Sequence, residues 1–282
     1  MTRPRDHETG GKPPIVPKSL LPRMLRSGRG VSPEDREESQ ECFFDALEAR
    51  TDEDEIRLLS RALKLDPGNA DAWLRMLEYC PPESPEEEIE ILRAIVAEAE
   101  DRLGRKVFKK WGGCFWGYVE TRPYMRARAA LADALQRAGM TVGSVAELEG
   151  MLELNPNDNQ GLRYRLLAFY LMLGNLDGAR RLFSRYPDEF DFNTVFAWAK
   201  VLERLLSDDL PAALRAMAAA DRQNPSSKDY LLGRKRVPKT LPDSYAPGSK
   251  NEAACFAGDL LLAWKAHPAA KKWLASLNPK KK

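Results

Sequence analysis

The chain has 282 residues, 43% hydrophobic and 30% charged, with a formal net charge of +2 at pH 7. This length allows one large or two small domains, and the content of Gly and Pro is too low for a chain that is disordered throughout. The longest apolar stretch, residues 166–173, is far shorter than the ~20 residues that span a bilayer. The charged N-terminus lacks the apolar segment of a secretory signal. We therefore predict a globular protein without a membrane span.

Cysteine and histidine are sparse and dispersed. The four cysteines show no CxxC spacing, and the two histidines, His7 and His267, lie at opposite ends of the chain. Structural zinc needs clustered Cys or His ligands, so we predict no metal and no cofactor. Free thiols favour a reducing, cytoplasmic compartment.

Charge is distributed unevenly along the chain. Residues 1–31 form a basic segment rich in Pro and Gly, which we predict to be a flexible tail. Residues 31–101 carry 22 acidic and 7 basic side chains, a difference of 15 negative charges, and the remainder is basic up to three terminal lysines. This layout can orient a partner electrostatically, but solvated outer helix faces explain it equally well and are the favoured interpretation.

Apolar residues recur at spacings of three and four, which is typical of helices, and β-type alternation is hard to find. Ser32-Pro33-Glu34 supplies a capping hydroxyl, an N-terminal proline and an acid for a first helix. We predict helices over residues 34–50, 53–64, 85–103, 106–119, 123–136 and 144–154, another beginning near Ala72, and two helix pairs after Pro156. Terminal helices are predicted over residues 251–266 and 268–276.

Proline-containing turns divide these helices into pairs. Asn155-Pro156 and Asn224-Pro225 each close a helical stretch, and 225 − 156 = 69 residues is close to two periods of roughly 34 residues. Small residues, Ala179, Ala213 and Ala220, lie where two helices would touch, since helix axes pack 8–10 Å apart. We predict repeats over residues 32–227, degenerate between 81 and 121. An extended, Pro-rich segment over 228–250 and a helical cap over 251–278 follow.

The junctions NADAWLRML and NPNDNQGLRYRLL, together with LGNLDGARRLF, resemble the tetratricopeptide repeat (TPR) family. The stretch WGYVETRPYMRARAALADAL, with YLLGRKRVPKTLP, resembles bacterial TPR proteins of unassigned function that are similar to suppressor of tumorigenicity seven. Trp73 matches the aromatic position of the repeat, whereas Leu162 is apolar but not aromatic. The resemblance implies an all-α, right-handed α-α superhelix of helical hairpins and supplies no activity.

The densest aromatic stretch, residues 111–124, offers a first candidate site. With nearby arginines it could form a pocket for a peptide or an acidic terminus, because Arg and aromatic side chains anchor interfaces. The candidate contacts here are Trp116, Tyr118, Glu120, Arg122, Tyr124 and Arg126. The alternative is that Trp111, Phe115 and Tyr118, at spacings of four and three, belong to the core, and this alternative is favoured.

The concave face of a TPR array is built from the first helix of each pair, whose polar residues are the natural ligand contacts. They are Asn159, Arg163, Asn193 and Lys200, with Arg204 one turn beyond Lys200. Lys200 and Arg204 share a helical face and could hold a carboxylate. A solvated face is the favoured alternative.

These observations predict a non-catalytic scaffold that binds a protein or peptide in its concave groove. The alternative is a nucleic-acid-associated protein that uses Arg234-Lys235-Arg236 and the terminal lysines. Nucleic-acid binding is disfavoured, because such short basic runs are usually solvated. An enzyme built around Glu120 and Tyr124 is a third possibility, and the sequence offers no motif for it. Neither the partner nor the oligomeric state follows from the sequence.

Overall fold

The computed structural model describes residues 30–277, and this part of the chain is helical with no β-strand. The all-α class is therefore confirmed. The α-helices are α1 Pro33–Glu48, α2 Asp52–Leu65, α3 Ala70–Tyr79, α4 Pro85–Trp111, α5 Arg122–Arg137, α6 Thr141–Leu154, α7 Leu162–Met172, α8 Leu176–Arg185, α9 Glu189–Phe192, α10 Thr194–Leu206, α11 Leu210–Gln223, α12 Ser227–Leu231, α13 Lys250–Ala266 and α14 Pro268–Leu277. Nearly all of the predicted basic tail, and the terminal lysines, lie outside the described residues.

The chain divides into two compact units, an N-terminal unit, Met1–Asn157, and a C-terminal unit, Asp158–Lys282. The boundary falls inside the region predicted as one array of repeats, at the turn that follows the Asn155-Pro156 pair.

Side-chain caps fix where many helices begin. Ser32 Oγ accepts a hydrogen bond from the backbone N–H of Asp35 at 3.0 Å, as the Ser-Pro-Glu pattern predicts. Thr51 and Ser84 cap α2 and α4 in the same way. Asn175 caps α8 through the N–H of Gly178 at 2.9 Å. Each cap satisfies a backbone donor that the helix itself leaves unpaired.

In the N-terminal unit, consecutive helices pack as pairs. Helix α1 packs on α2 and α5 on α6, and α3 lies against α2, α4 and α5. Ala46 and Ala62 are fully buried in the first pair, which lets the two helices approach closely. The hydroxyl of Ser39 donates to the carbonyl of Ala62 at 2.9 Å and accepts from the amide of Asn69 at 3.0 Å. This buried link joins α1 and α2 to the turn that precedes α3.

The degenerate region differs from its prediction in where helices end. Helix α4 covers the two predicted segments and is broken at Gly104, whose φ is 68°, in agreement with the predicted end of a helix at residue 103. The chain leaves the helix at Gly112-Gly113 and forms two 3-10 turns, Phe115–Gly117 and Val119–Thr121. The predicted helix over residues 106–119 therefore ends eight residues early, because Gly113 adopts a φ of 94° that a helix does not allow.

In the C-terminal unit, α7 packs on α8 and α10 on α11, and helix α13 packs against α7, α10 and α12. Trp198 of α10 lies with its ring centroid 6.4 Å from that of Phe256 and 6.0 Å from that of Trp264, both on α13. Ala179, Ala213 and Ala220 are fully buried, as predicted for residues at helix crossings.

The Pro-rich segment after α11 is extended only in part. Residues 227–231 form helix α12, and residues 232–249 contain no helix or strand. The turn after α12 is closed by Gly233, whose φ is 74° and whose N–H donates to the carbonyl of Tyr230 at 3.0 Å. The prediction of an extended segment over residues 228–250 is therefore wrong at its start, where a short helical turn buries Tyr230 and Leu231.

Candidate functional site

Trp116 is the centre of a surface cluster in the N-terminal unit. Its carbonyl accepts a hydrogen bond from Arg122 Nε at 2.9 Å, and that guanidinium lies 5.6 Å from the centroid of the Trp116 ring. The guanidinium of Arg126 lies 6.0 Å from the same centroid. The backbone N–H of Trp116 donates to the amide oxygen of Asn155 at 3.2 Å. The structure thus brings together three of the predicted residues, Trp116, Arg122 and Arg126.

The other aromatic residues of this stretch do not join that cluster. Tyr124 is 4% exposed, and its ring meets those of Phe108 and Phe115 edge-on, so burial raises the pKa of its hydroxyl. Tyr118 stacks on Trp111, with ring centroids 4.5 Å apart. Tyr124 is therefore part of the core and unavailable to a partner, which corrects its assignment as a contact. Phe115 is fully buried, as the core alternative predicted.

Two arginines of the predicted acid-binding pocket, Arg126 and Arg128, already bind carboxylates of their own unit. Arg126 donates to both oxygens of Asp71, with an Nε–Oδ1 distance of 2.7 Å. Arg128 donates to Glu147 at 2.7 Å. The side chain of Arg126 is 42% exposed, whereas that of Asp71 is only 7% exposed. A ligand carboxylate would have to compete with a bidentate pair, so this cluster is a weaker acid-binding site than its composition suggests.

The predicted contacts in the C-terminal unit have structural partners as well. Asn193 is buried and caps α10, since its side-chain oxygen accepts from the N–H groups of Val195 and Phe196. Arg163 bridges Asp158 and Glu189, at 2.9 and 2.7 Å. Asn193 thus serves the helix terminus and is not on an open face, which corrects its assignment as a contact.

Asn159 is exposed and also has an interaction within the chain.

Lys200 and Arg204 do hold a carboxylate, and it belongs to their own helix. Lys200 Nζ lies 3.2 Å and Arg204 Nε 3.3 Å from Glu203 Oε2. Arg180 Nε donates to the other oxygen at 2.8 Å. Burial alone would raise the pKa of Glu203, but these three cations outweigh it and the pKa is lowered.

Helix α13 covers one face of the helices that carry the predicted ligand contacts Arg163 and Lys200. In the C-terminal unit that face is formed by α7 and α10, the first helices of the two pairs. Helix α13 packs against both, and its Phe256, Leu260 and Trp264 are at most 1% exposed. The ring nitrogen Nε2 of His267, directly after α13, lies 2.7 Å from the carbonyl of Leu171 in α7. The face is thus filled by the chain itself.

A cleft of about 420 Å³ opens elsewhere in the C-terminal unit, beside α9, α10 and α11. We call it the alanine cleft. Its lining residues are Phe190, Asp191, Ala197, Lys200, Ala216, Ala219, Arg222 and Gln223. With its amide oxygen facing α9, Gln223 accepts hydrogen bonds from the N–H groups of Phe192 and Asn193, at 3.1 and 2.8 Å. This contact ties the end of α11 to the start of α10 and fixes one end of the cleft.

Of the residues predicted as contacts, Lys200 is the one that lines the alanine cleft. The sequence contained a signal for the cleft alanines of α11, which were not predicted as contacts. In α11, Ala213 and Ala220 face the interior, while Ala216 and Ala219 lie on another side of the helix. Alanines on two faces of one helix indicate that one face packs closely on another helix and that the other face leaves space for a shallow cleft.

Other chemistry-bearing residues lie apart from this cleft. Glu120 is exposed while Tyr124 is buried, so the pair suggested for acid–base work occupies two different environments. Within residues 30–277 no three His, Cys, Asp or Glu side chains are grouped as a metal site would require. None of the helices in this part of the chain has the length and apolar character needed to cross a membrane.

The chain matches no protein-family model and has no significant match among curated proteins.

Proposed function

We propose that this chain is a TPR-like helical-repeat scaffold that binds a protein segment in the alanine cleft. Four helix pairs support the repeat architecture, because in each of them a three-residue connection joins two packed helices. These pairs are α1–α2, α5–α6, α7–α8 and α10–α11. So short a connection makes the two helices antiparallel, as in a TPR hairpin.

Similar turns follow α2, α6 and α11, and they support the same architecture. The residue before the proline, Asp66, Asn155 or Asn224, ends its helix and is at most 3% exposed. Its side-chain oxygen accepts a backbone N–H in each case, from Gly68, Trp116 and Ser226 respectively. The contact to the N–H two residues on thus recurs at two helix ends, after Asp66 and Asn224, whereas Asn155 binds a donor 39 residues earlier in the chain.

The observation that carries the binding role is the alanine cleft itself. Ala197, Ala216 and Ala219 leave room between the helices that larger side chains would fill. Arg222 and Lys200, whose ammonium also contacts Glu203, place two cations at the cleft, against the single carboxylate of Asp191 among its lining residues. The occupant that fits is a peptide segment with a small apolar side chain next to acidic ones, since apolar burial provides affinity and the charges provide orientation.

Selection from a displayed peptide library on the full chain tests this proposal. We expect the recovered peptides to pair acidic with apolar residues. Arg222→Glu should weaken the binding of these peptides by at least about tenfold through charge reversal. Ala219→Trp should do the same by filling the cleft. Both positions are solvent-accessible, so the fold should tolerate both changes.

Arg215→Glu is the matched control, because Arg215 is an exposed arginine of the same helix outside the cleft. It should leave peptide binding within about twofold. Equal weakening by Arg215→Glu and Arg222→Glu, or full binding by Ala219→Trp, would remove the alanine cleft from the proposal.

A further inference from the structure

A second cleft in the C-terminal unit has a different character. It encloses about 330 Å³ between the turn after α12 and the ends of α13 and α14. Four cations line it, Lys235, Arg236, Lys265 and Lys271, and no carboxylate does. We call it the basic cleft. It shares no lining residue with the alanine cleft, so the two are independent.

Few of these charges are neutralised by the protein. Lys235 Nζ lies 3.7 Å from Asp229, a carboxylate that it shares with Arg234. Arg236, Lys265 and Lys271 form no ion pair within residues 30–277. Like charges that line one concave surface repel each other, and low-dielectric walls strengthen the field they produce. An anion bound in the cleft would relieve this repulsion.

The backbone holds one wall of the cleft in place. The N–H groups of Arg234 and Lys235 donate to the carbonyl of Asp229, at 2.8 and 3.1 Å. Gly233 adopts a left-handed φ, and a Cβ there would lie 3.4 Å from Lys271 Nζ. The turn is thus closed by hydrogen bonds, and glycine at its apex leaves room for the Lys271 ammonium.

The other wall is apolar and carries an unused donor. Tyr230, Leu231, Val237 and Leu261 line the cleft together with Trp264. Trp264 is 1% exposed, and its Nε1–H has no acceptor in the described part of the chain. A buried N–H without a partner is unfavourable, and native proteins contain few of them. This nitrogen is itself shielded from solvent, so the wall offers a ligand mainly apolar contact.

We propose that the basic cleft binds a small molecule that carries a phosphate group on a flat or apolar body. The phosphate would lie among Lys235, Arg236, Lys265 and Lys271, and the body against Tyr230 and Trp264. Several lysines act as point charges suited to a doubly charged phosphate. The enclosed volume is in the range of small-molecule sites. Nucleic acid fits less well, because it needs cations spread along a track, whereas these line one small concavity.

Calorimetric titration of the full chain tests the proposal with three probes: adenosine 5′-monophosphate, inorganic phosphate and adenosine. We expect the monophosphate to bind, inorganic phosphate to compete with it, and adenosine without phosphate to bind at least about tenfold more weakly. The double variant Lys265→Ala, Lys271→Ala should weaken the binding of the monophosphate by at least about tenfold. The matched control is Lys250→Ala with Lys272→Ala, two exposed lysines of the same helices outside the cleft, and it should bind normally.

Three results would overturn the proposal. The first is no binding of either phosphate-bearing probe at millimolar concentration. The second is equal weakening by the two double variants, which would show a diffuse charge effect. The third is a short single-stranded RNA that binds more tightly than the monophosphate and loses affinity equally in both double variants, which would make the cleft part of a nucleic-acid surface.

Discussion

Two poorly exposed carboxylates of the C-terminal unit, Glu203 and Asp259, have opposite electrostatic surroundings. Glu203 is fully buried, and three cations lower its pKa in spite of that burial. Burial raises the pKa of Asp259 to about 6, and Arg165 opposes this rise only in part. A carboxyl whose pKa is higher in the folded than in the unfolded protein takes up its proton on folding, so its ionised form is unfavourable at neutral pH.

Asp259→Asn should therefore stabilise the protein at pH 7.5. The reference pKa is 3.8, so the gain in the free energy of unfolding is on the order of 3 kcal/mol at pH 7.5. It should shrink as the pH falls through 6 and vanish below about pH 3, where Asp259 is protonated in both states. Urea denaturation at a series of pH values measures this difference. The exposed Asp243→Asn serves as the control and should change the free energy by less than about 0.5 kcal/mol at any of them. A gain that is independent of pH would refute the argument.

At the scale of single residues, local side-chain roles are easier to predict from the sequence than contacts between residues far apart in the chain. Lys200 and Arg204 were suggested as contacts for a carboxylate of a partner, and the carboxylate that they contact in the structure is Glu203 of their own helix. Glu203, three residues after Lys200, was the local candidate for it, because residues three apart meet on a helix. Asn193 likewise precedes a helical run and carries the signal of a cap. The Arg126–Asp71 pair, however, joins residues 55 apart, and no local pattern announces such a contact.

At the scale of elements, the helix pairs depend on small residues at their crossings. Gly178, near the start of α8, is the tightest example. A Cβ at this position would lie 2.8 Å from the ring of Tyr170, which is 4% exposed and cannot move aside easily. The side chain of Tyr170 thus occupies the space that any other residue at 178 would need.

Gly178→Ala should lower the free energy of unfolding by about 1 kcal/mol. The steric clash costs about 1–3 kcal/mol and outweighs the roughly 1 kcal/mol by which alanine favours a helix. Gly143→Ala is the control, because a Cβ on that helical glycine would lie at an ordinary 3.5 Å from Leu135. That variant should gain up to about 1 kcal/mol. Urea denaturation of both variants is the measurement, and a stabilised Gly178→Ala would contradict the packing described here.

The sequence predicted most helices because capping residues and apolar spacing are local signals. It placed a helix end at residue 103 correctly, next to the break at Gly104, and it failed between residues 112 and 121, where the chain leaves the helix at two glycines. A glycine in a helical pattern is ambiguous, since the same residue at 143 continues its helix while Gly104 and Gly113 break theirs. Only the packing around each glycine determines which conformation it adopts.

At the scale of the whole molecule, helix α13 determines which surface remains for a partner. Its apolar residues predicted burial correctly, and a position at the end of the stack was the simplest guess. The structure instead places it against α7 and α10, more than 40 residues earlier in the chain. A hydrophobic face shows that a helix is buried but does not specify against what, because the partner of a long-range contact leaves no periodicity in the sequence.

This placement moves the proposed binding surface. The face of α7 and α10 is buried in the core of the C-terminal unit, and the alanine cleft along α10 and α11 is open. If α13 were a removable lid, that face of α7 and α10 would be exposed whenever it opened. The two arrangements differ in the stability of α13, which local amide exchange reports directly.

Hydrogen exchange of the full chain, with and without a peptide recovered by the display selection, therefore tests the account most directly. We predict that the amides of α13 exchange as slowly as those of α7 and α10 in both states, and that the peptide adds protection at residues 189–192 and 216–223. Fast exchange in α13, or a loss of its protection when the peptide binds, would contradict the account and return the binding site to the face that α13 covers.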